Sequence, residues 1–128
     1  MVVPMIGIGQ CISGDCENGY GVKITTVPNL LDGGEGSEVY YGNFVDGKRN
    51  GVGQCLYPDG SKYIGEFANN LPDGYGTWIF YSPTEGVFSG HFKGGLMDGL
   101  CHWSGSGSVS FSDYKNGRTK EVLYKKSK

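Results

Sequence analysis

Tyr40-Tyr41-Gly42-Asn43-Phe44, Tyr63-Ile64-Gly65-Glu66-Phe67 and Phe88-Ser89-Gly90-His91-Phe92 state one pattern three times: aromatic, glycine, aromatic at alternate positions. The starts are 23 and then 25 residues apart. Seven residues beyond the last ring of each copy comes a second signal, Gly51-Val52-Gly53, Gly74-Tyr75-Gly76 or Gly99-Leu100-Cys101. Polar hexapeptides (VDGKRN, ANNLPD, KGGLMD) lie between the two signals. A fixed period of this length marks a repeat array, in which each unit buries its apolar face only against its neighbours.

The spacing within a unit is that of β-strands joined by tight turns. Strands are expected near 39–44, 51–57, 62–67, 74–81, 87–92, 99–104, 108–114 and 119–124. The links are short and carry Gly, Pro, Asn or Asp. No segment has sustained helical periodicity, so the chain reads as an all-β antiparallel meander of consecutive β-hairpins. Successive side chains point to opposite faces. One face therefore collects Tyr40, Phe44, Tyr63, Phe67, Trp78, Phe88, Phe92 and Trp103 together with the glycines. The other carries a mixed set that includes Tyr41, Val52, Ile64, Tyr75, His91 and Leu100. A ring on one strand fits flat over a glycine on the next, and rings pack edge to face.

The pattern Y-x-G-x-F, a six-residue polar spacer and G-x-G, with a turn at Pro58-Asp59-Gly60, resembles the MORN repeat. Three copies, starting at Tyr40, Tyr63 and Phe88, cover about half the chain. The third departs from the pattern, with Phe88 for the first Tyr and Cys101 for the second Gly. A fourth, degenerate copy is expected from Ser110, and Gly19-Tyr20-Gly21 reads as the second half of an earlier one. Gly7-Ile8-Gly9-Gln10-Cys11 likewise echoes Gly51-Val52-Gly53-Gln54-Cys55. The resemblance implies an elongated single-layer sheet serving attachment, assembly or targeting. It brings no catalytic residue. The expected organisation is an irregular N-terminal cap over 1–38, with an inserted loop at 28–37, three repeats over 39–108, and a degenerate repeat or cap with a basic tail over 109–128.

Glycine makes up 24 of 128 residues, well above the usual share of about 7%. Aromatics at 13% argue for an ordered protein rather than a solvated linker. No run reaches the roughly 18 apolar residues that span a bilayer, so no transmembrane segment is expected. MVVPMIGIG lacks the basic start of a signal peptide. The net charge of −2 is unevenly placed. Residues 115–128 hold six basic residues and one acid, and the preceding 114 carry −7. The acidic body argues against nucleic acid as a partner. The basic tail, with Lys120, Lys125, Lys126 and Lys128, is read either as a solvated terminus or as a contact for anionic lipid.

Cys11 and Cys16 have the spacing of a small disulfide loop or of half a metal site, and free thiols are a third reading. No second close pair completes a zinc set, so no metal or other cofactor is expected. Cys55 and Cys101, two copies apart, are expected not to bridge. His91 and His102 fall on one face of one hairpin and read as surface histidines. Asp46, Asp59, Asp73 and Asp98 fall in turns, one or more per copy, which points to turn hydrogen bonding rather than acid–base chemistry. Gly51-Val52-Gly53 lacks the third glycine and following helix of a dinucleotide loop.

The expectation is thus a non-enzymatic module for protein interaction, scaffolding or self-assembly. It would act through an aromatic groove lined by the eight rings named above and through open sheet edges, with a protein partner or a second copy bound there. The alternatives are peripheral binding to anionic phospholipid through the four tail lysines, and service as the targeting domain of a larger enzyme. Source and compartment are not legible.

Overall fold

The computed structural model describes residues 9–28, 33–81 and 85–127. Ten strands follow one another: β1 (Gly9–Gly14), β2 (Gly19–Pro28), β3 (Glu35–Val45), β4 (Lys48–Leu56), β5 (Lys62–Ala68), β6 (Leu71–Phe80), β7 (Gly86–Lys93), β8 (Leu96–Gly105), β9 (Ser108–Lys115) and β10 (Arg118–Ser127). They form one open sheet in chain order, with every neighbouring pair antiparallel. The single-layer meander expected from the repeats is the architecture observed.

The polar hexapeptides are not loops. Strands run into them from both sides and leave two-residue turns at their centres. At Asp46-Gly47, Asn69-Asn70, Gly94-Gly95, Ser106-Gly107 and Asn116-Gly117 both turn residues have φ between 50° and 84°. Two consecutive positive φ values define the type I′ turn, whose twist matches that of the flanking strands. Gly, Asn and Asp tolerate this region best, which accounts for the turn composition.

Register aligns the repeat signals across the sheet. A line of small residues crosses it through Gly14, Gly21, Gly42, Gly53, Gly65, Gly76 and Gly90, and continues as Cys101, Ser112 and Val122. The Tyr40 ring lies over Gly42 and Gly53, and Tyr63 over Gly65 and Gly76; a Cβ on Gly53 or Gly76 would fall inside the ring. Each phenol then reaches a backbone carbonyl three residues on. Tyr40 Oη donates to Asn43 O at 2.9 Å and Tyr63 Oη to Glu66 O at 3.0 Å. Phenylalanines wedge between the tyrosines edge to face, in the order Phe44, Tyr40, Phe67, Tyr63, Phe92, with centroids 5.0–5.2 Å apart. Tyr40 and Tyr63 have no exposed surface. This row of rings is the core, and the sheet needs no second layer to cover it.

The third repeat changes two of these parts together. Phe88 has no hydroxyl, and the carbonyl it would serve, that of His91, accepts from the Cys101 thiol at 3.6 Å. Cys101 Sγ occupies the space beside Gly90 that a tyrosine ring fills in the other copies. The Phe88 ring packs instead on Trp103, 4.6 Å away. The two departures from the repeat pattern are therefore one compensated exchange.

The segment expected to be an irregular cap holds a complete hairpin, β1–β2, that extends the sheet. Cys11 and Cys16 form a disulfide, which decides among the readings left open from spacing. Cys16 is buried against Gly21, at the N-terminal end of the core. The expected loop over 28–37 is partly strand, because Pro28, Val27 and Thr26 pair with Glu35, Gly36 and Ser37. Residues 29–32, Ser82 to Thr84 between β6 and β7, and the echo at Gly7-Ile8 lie outside the described residues. Cys55 and Cys101 are free and buried.

Candidate functional site

The two faces differ in kind. On the outer face, residues such as Val52, Tyr75 and Leu100 stand in solvent at 61–71% exposure. The ring face is concave and carries two adjoining hollows that share Trp78. The first, about 520 Å³, lies over β2 to β6 and is lined by Lys23, Glu38, Phe44, Arg49, Tyr57 and Trp78. The second, about 300 Å³, lies over β6 to β8 and is walled by Trp78, Phe80, Phe88, Phe92, Leu96 and Met97. Together they make a groove with a charged end and an apolar end.

The charged end is built by register. Arg49 stands opposite Phe44 in the β3–β4 pair. Its Nη2 donates to Glu38 Oε2 at 2.7 Å, and its guanidinium lies 5.3 Å from the Tyr40 centroid. Both charged side chains are largely covered, so this pair is held more tightly than a solvent-exposed one. Burial pushes the Cys55 thiol up to about 11, with Arg49 opposing the shift and Glu38 adding to it. At neutral pH Cys55 is a thiol, not a thiolate, and is no nucleophile. Burial beside Cys55 also raises the Tyr57 phenol well above its ordinary value. Lys23 sits 6.0 Å from the Phe44 ring, and no acid is paired with it among the described residues.

Three parallel rings form the middle of the groove. Tyr57 stacks on Trp78 at 5.1 Å, and Trp78 on Phe80 at 5.8 Å. The Trp78 Nε1 hydrogen is buried and has no acceptor among the described residues.

The eight rings singled out from sequence share this face, but they divide into three groups. Tyr40, Tyr63, Phe44, Phe67 and Phe92 are buried core, of which Phe44 and Phe92 also underlie the hollows. Trp78 and Phe88 are partly buried and line the hollows. Trp103 lies beyond the apolar end, over Gly86 and against Phe88. Lys23, Glu38, Arg49, Leu96 and Met97 also line the hollows and were not candidates from sequence, while Tyr57 and Phe80 follow from strand alternation onto the ring face without having been singled out. The signal available was position: Arg49, Pro72 and Met97 stand opposite Phe44, Phe67 and Phe92 in successive hairpins. They are places where the copies differ.

Of the tail lysines, Lys120 reaches Asp113 at 3.7 Å, and the whole of β10 is exposed. Lys125 and Lys126 are consecutive in a strand and so project from opposite faces. Lys128 lies outside the described residues. His91 and His102 do not meet on a shared ligand. His91 Nδ1 is 2.9 Å from Asp98 O with its ring against Tyr75, and His102 packs on Phe111. Among the described residues no three metal-ligating side chains come together, and no helix is long and apolar enough to cross a membrane.

Comparison with known proteins agrees with the geometry. Alsin from rat, mouse and human is 40% identical to this chain over 74 residues; the matched stretch is 55% of the chain and 4% of each relative. A family model for the MORN repeat matches residues 40–62, 63–82 and 88–109. Those three matches start on the ring that lies over, or in the third copy beside, the glycine line, and the chain belongs to the MORN-repeat family.

Proposed function

We propose that the chain is a non-enzymatic interaction module that takes a segment of a partner protein along the groove of its ring face. The observation that carries this reading is the continuity of the two hollows through Trp78, which gives one groove with different chemistry at its ends. Rings at the floor of a groove supply large contact area at low entropic cost, and such rings dominate binding energy at interfaces. The lysine at one end suits a carboxylate, while Leu96 and Met97 at the other suit an aliphatic or aromatic side chain. Among the described residues, no constellation of nucleophile, base and oxyanion donor lies along it. The matched relatives are far longer than this chain, which fits a module that positions other activities.

The test compares capture from native lysate by the parent and by three folded variants. Trp78→Ala and Leu96→Glu alter the groove; Tyr75→Ala removes an outer-face ring that is 71% exposed. Partners held by the parent and by Tyr75→Ala, but lost from both groove variants, support the reading. Equal capture by all four proteins refutes it. The lipid alternative is weaker on geometry, because Lys125 and Lys126, consecutive in β10, project from opposite faces.

A further inference from the structure

We propose that two copies of this chain pack outer face to outer face as a closed two-fold dimer, with the axis running across the strands over Ile64. This surface lies on the side away from the groove and does not depend on the reading given above.

The repeat itself builds the surface. In each strand the line of small residues faces the rings, so the residue just before it points to the outer face. Antiparallel pairing sets these residues alternately on the two sides of the line. They are Tyr20, Val52, Tyr75 and Leu100 on β2, β4, β6 and β8, and Tyr41, Ile64 and Phe111 on β3, β5 and β9, with Ser89 as the polar member on β7. The seven apolar side chains are 38–71% exposed. Tyr75 is braced by His91 and Phe111 by His102, so these rings are already held in place. Two residues to one side runs a half-buried apolar row, Ile24, Val39, Leu56, Ile79 and Val87, interrupted on β5 by Lys62. All described strands belong to one sheet, so none of them covers this face.

Area and charge select a second copy as the cover. The seven side chains leave about 700 Å² uncovered, taking about 200 Å² for a whole ring and less for an aliphatic chain. The largest apolar patch of a monomer usually stays within about 300–600 Å². Two such faces brought together bury about 1,400 Å², the size of a stable interface. The charges at the middle of the face complement themselves. Lys62 and Glu66 stand on β5 on either side of Ile64, all three on the outer face. A two-fold axis over Ile64 exchanges the two sides. It sets Ile64 against the partner's Ile64, and Lys62 of each copy against the partner's Glu66. The same rotation brings Val52 over the partner's Leu56 and Tyr75 over the partner's Ile79, apolar on apolar. Asp113, the remaining charge in these rows between β2 and β9, is already met by Lys120 at 3.7 Å. Because the contact uses the same patch on both copies, it closes at two. Both ring faces point outward, so each groove stays open.

Sedimentation equilibrium of the 128-residue chain over a range of concentrations tests this, with circular dichroism as the check on folding. The expected average mass rises with concentration and levels at two copies. Ile64→Glu sets two carboxylates against each other at the axis and should weaken the dimer by about a hundredfold. Lys62→Glu and Glu66→Lys each turn two ion pairs repulsive and should weaken it by about tenfold. Mixing these two variants gives opposite charges at both contacts and should restore the dimer. Glu66 also accepts from the Tyr75 N–H, but each chain is the same alone and in the mixture, so restoration reports the contact and not the fold. Trp78→Ala lies on the other face and should dimerise like the parent. A chain that stays monomeric at every concentration, or a mass that grows past the dimer, overturns the proposal. So does an Ile64→Glu variant that dimerises like the parent. A mixture as weak as its components overturns the two-fold register.

Discussion

Consider exchanging Phe88 and Cys101 for the residues found in the other two copies. Cys101→Gly alone removes two buried heavy atoms, which costs about 1.5 kcal/mol in lost packing. A strand glycine adds about 0.5–1 kcal/mol of backbone entropy. The carbonyl of His91 also loses its sulfur donor. The single variant should therefore be destabilised by about 2–3 kcal/mol. Phe88→Tyr alone adds a hydroxyl with no free carbonyl to reach, because Cys101 already occupies the place beside Gly90. An unsatisfied hydroxyl of this kind costs about 1 kcal/mol. Made together, the changes vacate the space, let the ring move over Gly90 and give His91 O the phenol that Asn43 O and Glu66 O enjoy. The double variant should lie within about 1.5 kcal/mol of the parent, a coupling of about 2 kcal/mol. Urea unfolding of all four proteins, followed by circular dichroism, measures it. Additivity within about 0.5 kcal/mol, the usual result for independent sites, would show that the thiol is not standing in for a phenol.

Two further outcomes follow from the same core. Gly76→Ala drives a methyl into the fully buried Tyr63 ring, which is held edge to face by Phe67 and Phe92. It should cost about 3 kcal/mol or more, and a thermal melt within a degree of the parent would contradict the packing described. Stability should also fall in alkali. Burial raises Tyr40 and Tyr63 from 10.0 to about 12, and Cys55 from 9.0 to about 11. A raised folded value means that the unfolded chain loses its proton first. The contribution is complete below about pH 9 and is lost as pH climbs through 12. Unfolding midpoints taken between pH 8 and 12 should drop steadily, and a flat profile would refute the burial of these phenols.

The fold was legible because its core is made by the repeating residues themselves. An aromatic two positions from a glycine specifies both a strand and the face it buries, so the architecture and the row of rings could be read from Tyr40, Tyr63 and their echoes. Less was legible where the repeat thins. The β1–β2 hairpin has no Y-x-G-x-F signal, and its first strand is tied to its turn by a Cys11–Cys16 bridge that spacing left among three readings. The strand character of Glu35 to Ser37 was hidden by glycines and acids that suggest a loop, because pairing with β2 outweighs local preference. The exchange at Phe88 and Cys101 looked like decay of the pattern. Only the position of His91 O shows that each change answers the other.

The groove was harder to read for a physical reason that also explains its chemistry. A one-layer sheet must spend its repeating rings on its own core, so Tyr40, Tyr63 and Phe67 are hidden from any partner. On the proposed reading, recognition falls to positions the repeat leaves free. The residue facing the second ring of each hairpin is Arg49, then Pro72, then Met97. Along the groove this one structural place changes from a cation to an imino acid to a thioether, and the polarity of the surface changes with it. The neighbouring line shows the same shift, from Cys55 to Trp78 to Trp103. Positions shared among the copies build the scaffold, and on the proposed reading the groove positions that differ would set what it recognises. In such an array, the differences between units are therefore the first place to look for the residues that recognise a partner.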